Sequence, residues 1–478
     1  MPGIELYNTS TPELIYPAYQ ERVVAASQGL ISDSFEAFTT SCYCFQPVEN
    51  AKITLLIYVN ETLVCSLKSR INPADMLTRF NVEGVIQNYT QTDEFEWQYP
   101  FIPAEQVAIH NIHKFSKNTT NLVRVNYDCT IEYNFAGGET INLSANTTLN
   151  TKQYYKDWYH FFWNGVSQHI EGEHFDIDLY MCNAAGKKVL TKFFTGVILT
   201  SEITEYASNA KYWQKIRMSD YHTVAFFNGK HSFTKSGTIT KSNVAHILFT
   251  LVNPDGSIVT ELVDNTTANG GSSPDEQMTA ETGLLYAGIG AQNIIDSGSS
   301  LLDTAVVGSY YSVQFLEDDL STAADSIHFE IVADDCKGYE TIRLGWVNSL
   351  GGWDYFNFNK ISTRTKTSKR TNFTQNHGNE IDSRANAYGY GTWQGGLRTY
   401  NNDVTETIEA STDFILEQEG FAIEDLFTST QVHMQVGDAW HGVVVTEKDY
   451  TQQTHANDKL VQYTIEIQKA HNKRVQRL

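Results

Sequence analysis

The chain has 478 residues, of which 34 are Lys or Arg and 56 are Asp or Glu, for a formal net charge of −22. Apolar residues make up 41% and charged residues 19%, a mixture that can bury cores and excludes wholesale disorder. So acidic a balance argues against a nucleic-acid partner, because duplex binding needs a basic surface to neutralise phosphates.

The opening residues, MPGIELYNTSTPELIYP, lack a basic stretch followed by an apolar run, so no secretory signal is expected. No window approaches about 18 consecutive apolar residues, and membrane insertion is not expected either. The dominant pattern from there on is alternation with a period of two, broken by Asn, Asp and Gly. Residues 51–65 read as two strands around a turn at Asn60 and Glu61. Residues 74–88 predict a short helix. Residues 122–135 alternate Val123, Val125, Tyr127, Cys129 and Ile131 against polar neighbours, and 175–181 do the same with Phe175, Ile177 and Leu179. Further strands are predicted over 246–252, 311–316 and 327–332.

Residues 264–276 (DNTTANGGSSPDE) read as an exposed loop. A second irregular zone is expected over 360–396, opening with Lys360, Arg364, Lys366, Lys369 and Arg370 and ending in AYGYGTWQGG. Residues 413–427 carry the best helical periodicity, with Phe414, Ile415, Ile423, Leu426 and Phe427 apolar and Gly420 weakening the helix by about 1 kcal/mol relative to Ala. The C-terminal segments 442–445 and 459–468 look like a closing pair of strands. Many short strands with few helices predict a mainly β chain of tandem antiparallel β-sandwich domains carrying one or two short helices. The expected divisions are 1–200, 201–338 and 339–478.

Chemistry-bearing motifs are few. Ile294 to Ser300 (IIDSGSS) is similar to the turn of aspartic proteases, where two carboxylates share a proton. Only Asp303 follows nearby, too close to build an opposing lobe, so a polar loop is the expected reading. His169 and His174 in HIEGEH are five apart rather than four, which separates them around a helix and sets them on opposite faces of a strand. A Ca²⁺ site from Asp176, Asp178 and Glu171 or Glu173 is the weaker alternative to a solvated acidic hairpin. His110 and His113 lack a further ligand, and Gly288-Ile289-Gly290 has Asn293 where a dinucleotide fingerprint needs glycine. Catalytic residues, cofactors and metals are therefore not expected. The six cysteines, Cys42, Cys44, Cys65, Cys129, Cys182 and Cys336, form no C-x-x-C pair and read as reduced thiols. Eight N-x-S/T sites, including Asn60, Asn88 and Asn372, read as the mark of an Asn- and Thr-rich surface.

Aromatic clusters at 154–163 (YYKDWYHFFW) and 353–358 (WDYFNF) fit either a core or subunit interface, or a platform that stacks sugars. The segment 340–360, ETIRLGWVNSLGGWDYFNFNK, resembles a block found in virion structural proteins of tailed phages, especially marine phages and phages of Bacteroidetes-type hosts. FNVEGVIQNY at 80–89, SDYHTVAFFN at 219–228, GIGAQNI at 288–294, the acidic segment 413–434 and the closing residues 443–478 with their RVQR tail are similar to the same proteins in the same order. Residues 428–433 (TSTQVH) depart from the "SP-x-VY" of those proteins.

The resemblance implies a non-enzymatic component of the phage tail region: a tail, collar or baseplate protein. It would assemble with copies of itself and with other virion proteins. The alternative is a receptor-binding module for host surface glycans, or a fibre-anchoring adaptor. Interface residues are expected at Trp346, Trp353, Tyr355 and Phe358, at Lys360, Arg364, Lys366, Lys369 and Arg370, and at Lys473, Arg474 and Arg477.

Overall fold

A computed structural model describes residues 15–17, 23–28, 39–42, 49–70, 77–92, 123–134, 140–144, 159–163, 165, 179–180, 186–193, 213–233, 239–242, 244–264, 283–317, 319–333, 338–375, 380–382, 387–389, 396–437, 439–446, 460–470 and 473–476. The chain is mainly β, with several antiparallel sheets. It divides into two compact units, one of residues 1–332 with 347–354, the other of 333–346 with 355–478. The expected division at 338/339 lies beside the boundary at 332/333, while the one at 200/201 falls outside the described residues.

The first unit contains a six-stranded sheet whose central strands are Glu49–Val59 and Val123–Asn134. Glu49–Val59 turns into Thr62–Arg70 through Asn60 and Glu61, with φ of 48° and 68°, so the predicted two-residue hairpin is present. Leu55, Ile57 and Val59 are buried while Thr54, Leu56 and Tyr58 are only partly covered, the alternation expected of a sheet with one core face. The predicted helix over 74–88 is shorter than expected. Leu77–Asn81 is a strand, and only Glu83–Ile86 is helical. Leu77 to Phe80 pair with Val24 to Ser27, and tertiary pairing there outweighs local helical periodicity.

A second core in this unit lies between a five-stranded and a three-stranded sheet. The five strands run in the order Gln214–Ile216, Thr322–Ile331, Tyr310–Leu316, His246–Val252 and Ile258–Asp264. The three-stranded sheet centres on Thr223–Phe233, paired with Gly283–Gly288 and Ile239–Ser242. Phe226 from one sheet meets Phe315 from the other with ring centroids 5.4 Å apart, and Ile247, Phe249, Val313 and Phe329 fill the same core. Each such side chain removed from water contributes about 1.5–3 kcal/mol.

The second unit holds an eight-stranded sheet. Its order runs from Trp353–Phe358 through Ile342–Val347, Val432–Val436, Ala439–Val445, Thr464–Lys469 and Gly396–Ser411 to Ser362–Gln375, with Lys473–Gln476 also on Gly396–Ser411. The expected closing pair is present, as Val443 to Val445 oppose Lys469 to Ile467. The acidic helix runs over Glu417–Thr428 and buries Ala422, Ile423 and Leu426, while Phe414 stays exposed before its start. Gly420 is required there: a Cβ would sit 2.8 Å from the Tyr463 hydroxyl, so close packing replaces helix propensity as the deciding factor. The zone expected to be irregular from residue 360 begins instead with a 14-residue strand, Ser362–Gln375.

Among the described residues no helix is long and apolar enough to cross a membrane.

Candidate functional site

Two structures carry the residues singled out by sequence: the turn between Ile342–Val347 and Trp353–Phe358, and the long hairpin formed by Ser362–Gln375 with Gly396–Ser411.

The turn is built around Asn348, which is fully buried. Its Oδ1 accepts from the backbone amides of Leu350 (3.1 Å) and Gly352 (3.0 Å), and its Nδ2 donates to Leu190 O (3.1 Å) and Asp354 Oδ2 (2.9 Å). Asp354, also fully buried, accepts from the Thr191 hydroxyl and from the Lys192 amide (3.0 Å). Gly351 adopts φ +94°, and a Cβ on it would collide with the Trp163 carbonyl. A Cβ on Gly352 would collide with the Leu190 carbonyl. Each residue of N-x-x-G-G-W-D thus has a mechanical reason to be present: buried polar groups must be paired, and two backbones approach too closely for side chains.

The aromatic residues of this block lie inside. Trp346, Trp353, Tyr355 and Phe358 are 0%, 1%, 3% and 1% exposed, so they fill the chain's own core rather than presenting an interface. The physical reason is that both faces of Trp353–Phe358 are covered, with five of its six residues buried, where simple alternation would leave one face to a partner. Tyr355 packs on Trp440 with centroids 5.4 Å apart, and the guanidinium of buried Arg343 lies 5.4 Å from the Tyr355 ring centre and bonds Asn357 Oδ1 at 3.2 Å. Gly345 makes room for that ring, since a Cβ there would be 2.8 Å from it. In the other aromatic cluster Phe162 is buried and Trp163 half-buried, whereas residues 154–158 lie outside the described residues.

The basic residues behave differently. Every residue from Thr363 to Thr374 is exposed, so neither face of this strand is covered. Its partner strand sets acids against the cations: Lys366 opposes Glu406 and Lys369 opposes Asp403, while Arg370 opposes Asn402. Arg364 pairs with Glu340 and with Glu406 (3.2 Å), and Lys469 reaches Glu406 at 3.1 Å. The Glu406 carboxyl is held below its ordinary value, first by the hydrogen bond from Lys469 and then by the charges of Lys469, Lys366 and Arg364. Lys360 pairs with Asp413 at 2.9 Å. At the far end Phe373 stacks edge-on against Tyr400, and Leu397 is 72% exposed. Lys473 and Arg474 belong to a short strand opposite Val404 and Asp403, and Arg477 lies outside the described residues.

Glu340 and Glu406 were not singled out by the sequence reading. The signal available was the Thr-cation alternation of STRTKTSKRT, a strand pattern that the density of charge concealed.

The motifs suggestive of catalysis take structural places. Asp296 ends the six-residue helix Ala291–Asp296, exposed, where it accepts from the Tyr221 hydroxyl (2.6 Å) and Gln292 Nε2 (2.7 Å) rather than facing a second carboxylate. Ile294 to Asp296 are thus the end of a short helix, while residues 297–300 form the polar turn that was expected. Gly290 precedes that helix in an extended conformation, and Asn293 Oδ1 accepts from the amides of His222 (2.9 Å) and Gly290 (3.1 Å). The Asn in the position of the missing third glycine thus ties two backbone segments together. His110, His113 and the segment 169–178 lie outside the described residues, as does the expected loop 264–276 apart from Asp264, which ends the strand Ile258–Asp264. Cys65 is a free, half-buried thiol. Among the described residues no group of three or more His, Cys, Asp or Glu is placed to hold a metal ion.

No protein-family model matches the chain, and no curated protein matches it.

Proposed function

We infer that this chain is an architectural component of a tailed-phage virion, a tail, collar or baseplate protein that assembles with copies of itself and with other virion proteins and carries out no catalysis. The observation that carries this reading is the hairpin ribbon of Ser362–Gln375 and Gly396–Ser411, whose first strand is the last of the eight-stranded sheet and leaves both faces to solvent. An edge strand of about 45 Å, exposed on both faces and paired along one side alone among the described residues, is expected where a neighbour completes it. The resemblance of the 340–360 block and its companions to virion proteins supports the same role, as does an acidic body that keeps unassembled copies apart.

The glycan-binding alternative has less support, because Trp353 is buried and unavailable for stacking on a sugar. The reading is tested by mass spectrometry of purified particles together with gold labelling of this chain. Detection at a fixed site in the tail region, in multiple copies, is expected. A stable monomer that is absent from purified particles sinks the reading.

A further inference from the structure

Ser362–Gln375 ends the eight-stranded sheet, and among the described residues no strand pairs with its outer side. An edge strand presents a row of backbone donors and acceptors that another chain can continue. This one is 14 residues long and carries Arg364, Lys366, Lys369 and Arg370 with no acid. Cations on an edge keep strands of the same kind away, since like charges directly opposite repel. They select among partners rather than closing the edge, because an acidic strand gains what a like strand loses.

The far half of the strand says what such a partner carries. Arg364 is already engaged by Glu340 and Glu406, and Lys366 lies in the field of Glu406. Among the described residues no acid forms an ion pair with Lys369, although it opposes Asp403, or with Arg370, which opposes Asn402. As neighbours on a strand, these two cations point to opposite faces. Further along, Phe373 is 44% exposed beside Tyr400 at 47%, and exposed Leu397 opposes Thr374. The edge thus offers open backbone, one unpaired cation on each face, and an apolar cluster at its end. No described strand of this chain carries two neighbouring acids, so a second copy has no strand to match.

We propose that the outer edge of Ser362–Gln375 takes an added antiparallel strand from a different protein, with two neighbouring acids opposite Lys369 and Arg370 and an apolar side chain opposite Phe373. Backbone hydrogen bonds supply the attachment, as they do to Gly396–Ser411 on the other side. Residues directly opposite share a face, so one acid meets Lys369 on one face and the next meets Arg370 on the other. Along the partner the required order is an apolar residue, two residues of any kind, then the two acids. The charges fix the register, and the apolar contact with Phe373 adds to it. This inference rests on the assembly part of the reading above.

The test titrates the full chain, diluted until monomeric, with the fluorescent peptide Thr-Val-Phe-Thr-Val-Asp-Glu-Thr-Val-Thr, whose Phe falls opposite Phe373 when its acids face the two cations. Saturable binding is expected, with hydrogen-exchange protection gained across residues 363–374. The same peptide with Lys in place of both acids is expected to bind about tenfold more weakly or worse. Of two N-methylated forms, each blocked along one edge, one is expected to lose binding and the other to keep it, the mark of strand addition. Arg370→Glu, with folding checked by circular dichroism, is expected to remove the preference for the acidic peptide, and it leaves the ion pairs of Arg364 and Lys469 in place. Equal binding of the acidic and Lys peptides, or binding that neither N-methylated form loses, overturns the proposal. Protection of the same amides when the chain alone is concentrated puts a second copy on the edge and overturns it too. Peptide binding in a chain absent from purified particles keeps the edge site and sinks the virion role, and a particle-borne chain whose edge ignores the peptide does the reverse.

Discussion

The turn at 347–354 and the ribbon at 362–411 lie close together in sequence and follow opposite designs. In the turn, two buried polar side chains, Asn348 and Asp354, satisfy one another and the surrounding backbone, and glycines admit contacts that a side chain would block. In the ribbon, charges face one another between an exposed edge strand and a half-covered neighbour, where salt and water reach them. Buried hydrogen bonds are costly to break because the orphaned partner stays dry, whereas exposed ion pairs contribute from nothing to about 1 kcal/mol each. The comparison teaches that density of unusual residues is a poor guide to where stability resides. The aromatic, glycine-rich block is tied into the buried interior, and the equally conspicuous basic block contributes little to stability.

The sharpest test of this contrast is Asn348→Ala. It strands the Leu350 and Gly352 amides and removes the donors to Leu190 O and Asp354, so a loss of about 3–5 kcal/mol is expected in urea unfolding. A loss below about 1 kcal/mol would remove the distinction drawn between the two hairpins.

A smaller effect of opposite sign is expected at the exposed turn of Glu49–Val59 and Thr62–Arg70. Glu61 has φ 68°, a left-handed conformation that glycine adopts freely, so Glu61→Gly should stabilise by about 0.5–1 kcal/mol in thermal unfolding. Destabilisation instead would show that the Glu61 side chain contributes more than its strained backbone costs.

The ribbon's ion cluster makes a pH prediction. Glu406 has a folded value below its ordinary 4.5, so its contribution is fully present above pH 4.5 and is lost as the pH falls through the depressed value. Protection of the 396–411 amides, taken relative to their intrinsic exchange rate at each pH, should therefore fall selectively on acidification below pH 4.5, and Glu406→Gln should abolish that step. An unchanged acid profile in Glu406→Gln would assign the step to other carboxyls.

The smallest effect is expected at Thr367→Ala in the middle of the exposed strand. Within the unassembled chain the change in stability should stay within about 0.5 kcal/mol, as for surface positions generally. A loss several times larger would mean that the chain itself covers the strand.

The strands at 49–59, 246–252 and 464–469 were legible because one face of each is buried, and burial imposes a period of two on the residues that pack. The short helix at 83–86 and the strand before it were misjudged, since Leu77–Asn81 owes its form to pairing with Val23–Gln28, some fifty residues away in the chain. The basic strand was missed for the reverse reason. With neither face buried, nothing forces an apolar alternation onto it, and only its Thr content remains as a local sign. Of the expected interface, Arg364, Lys366, Lys369 and Arg370 lie together on the exposed strand, whereas the four aromatic residues lie in the core.

An acidic, mainly β chain follows from the sequence by itself, because composition and alternation act locally. Which aromatics are buried, why Asn348 and Asp354 are needed, and where the cations meet their acids were decided only by the tertiary structure. Those are relations between segments far apart in the chain, such as Leu190 with Asn348 or Lys469 with Glu406, and no local pattern encodes them.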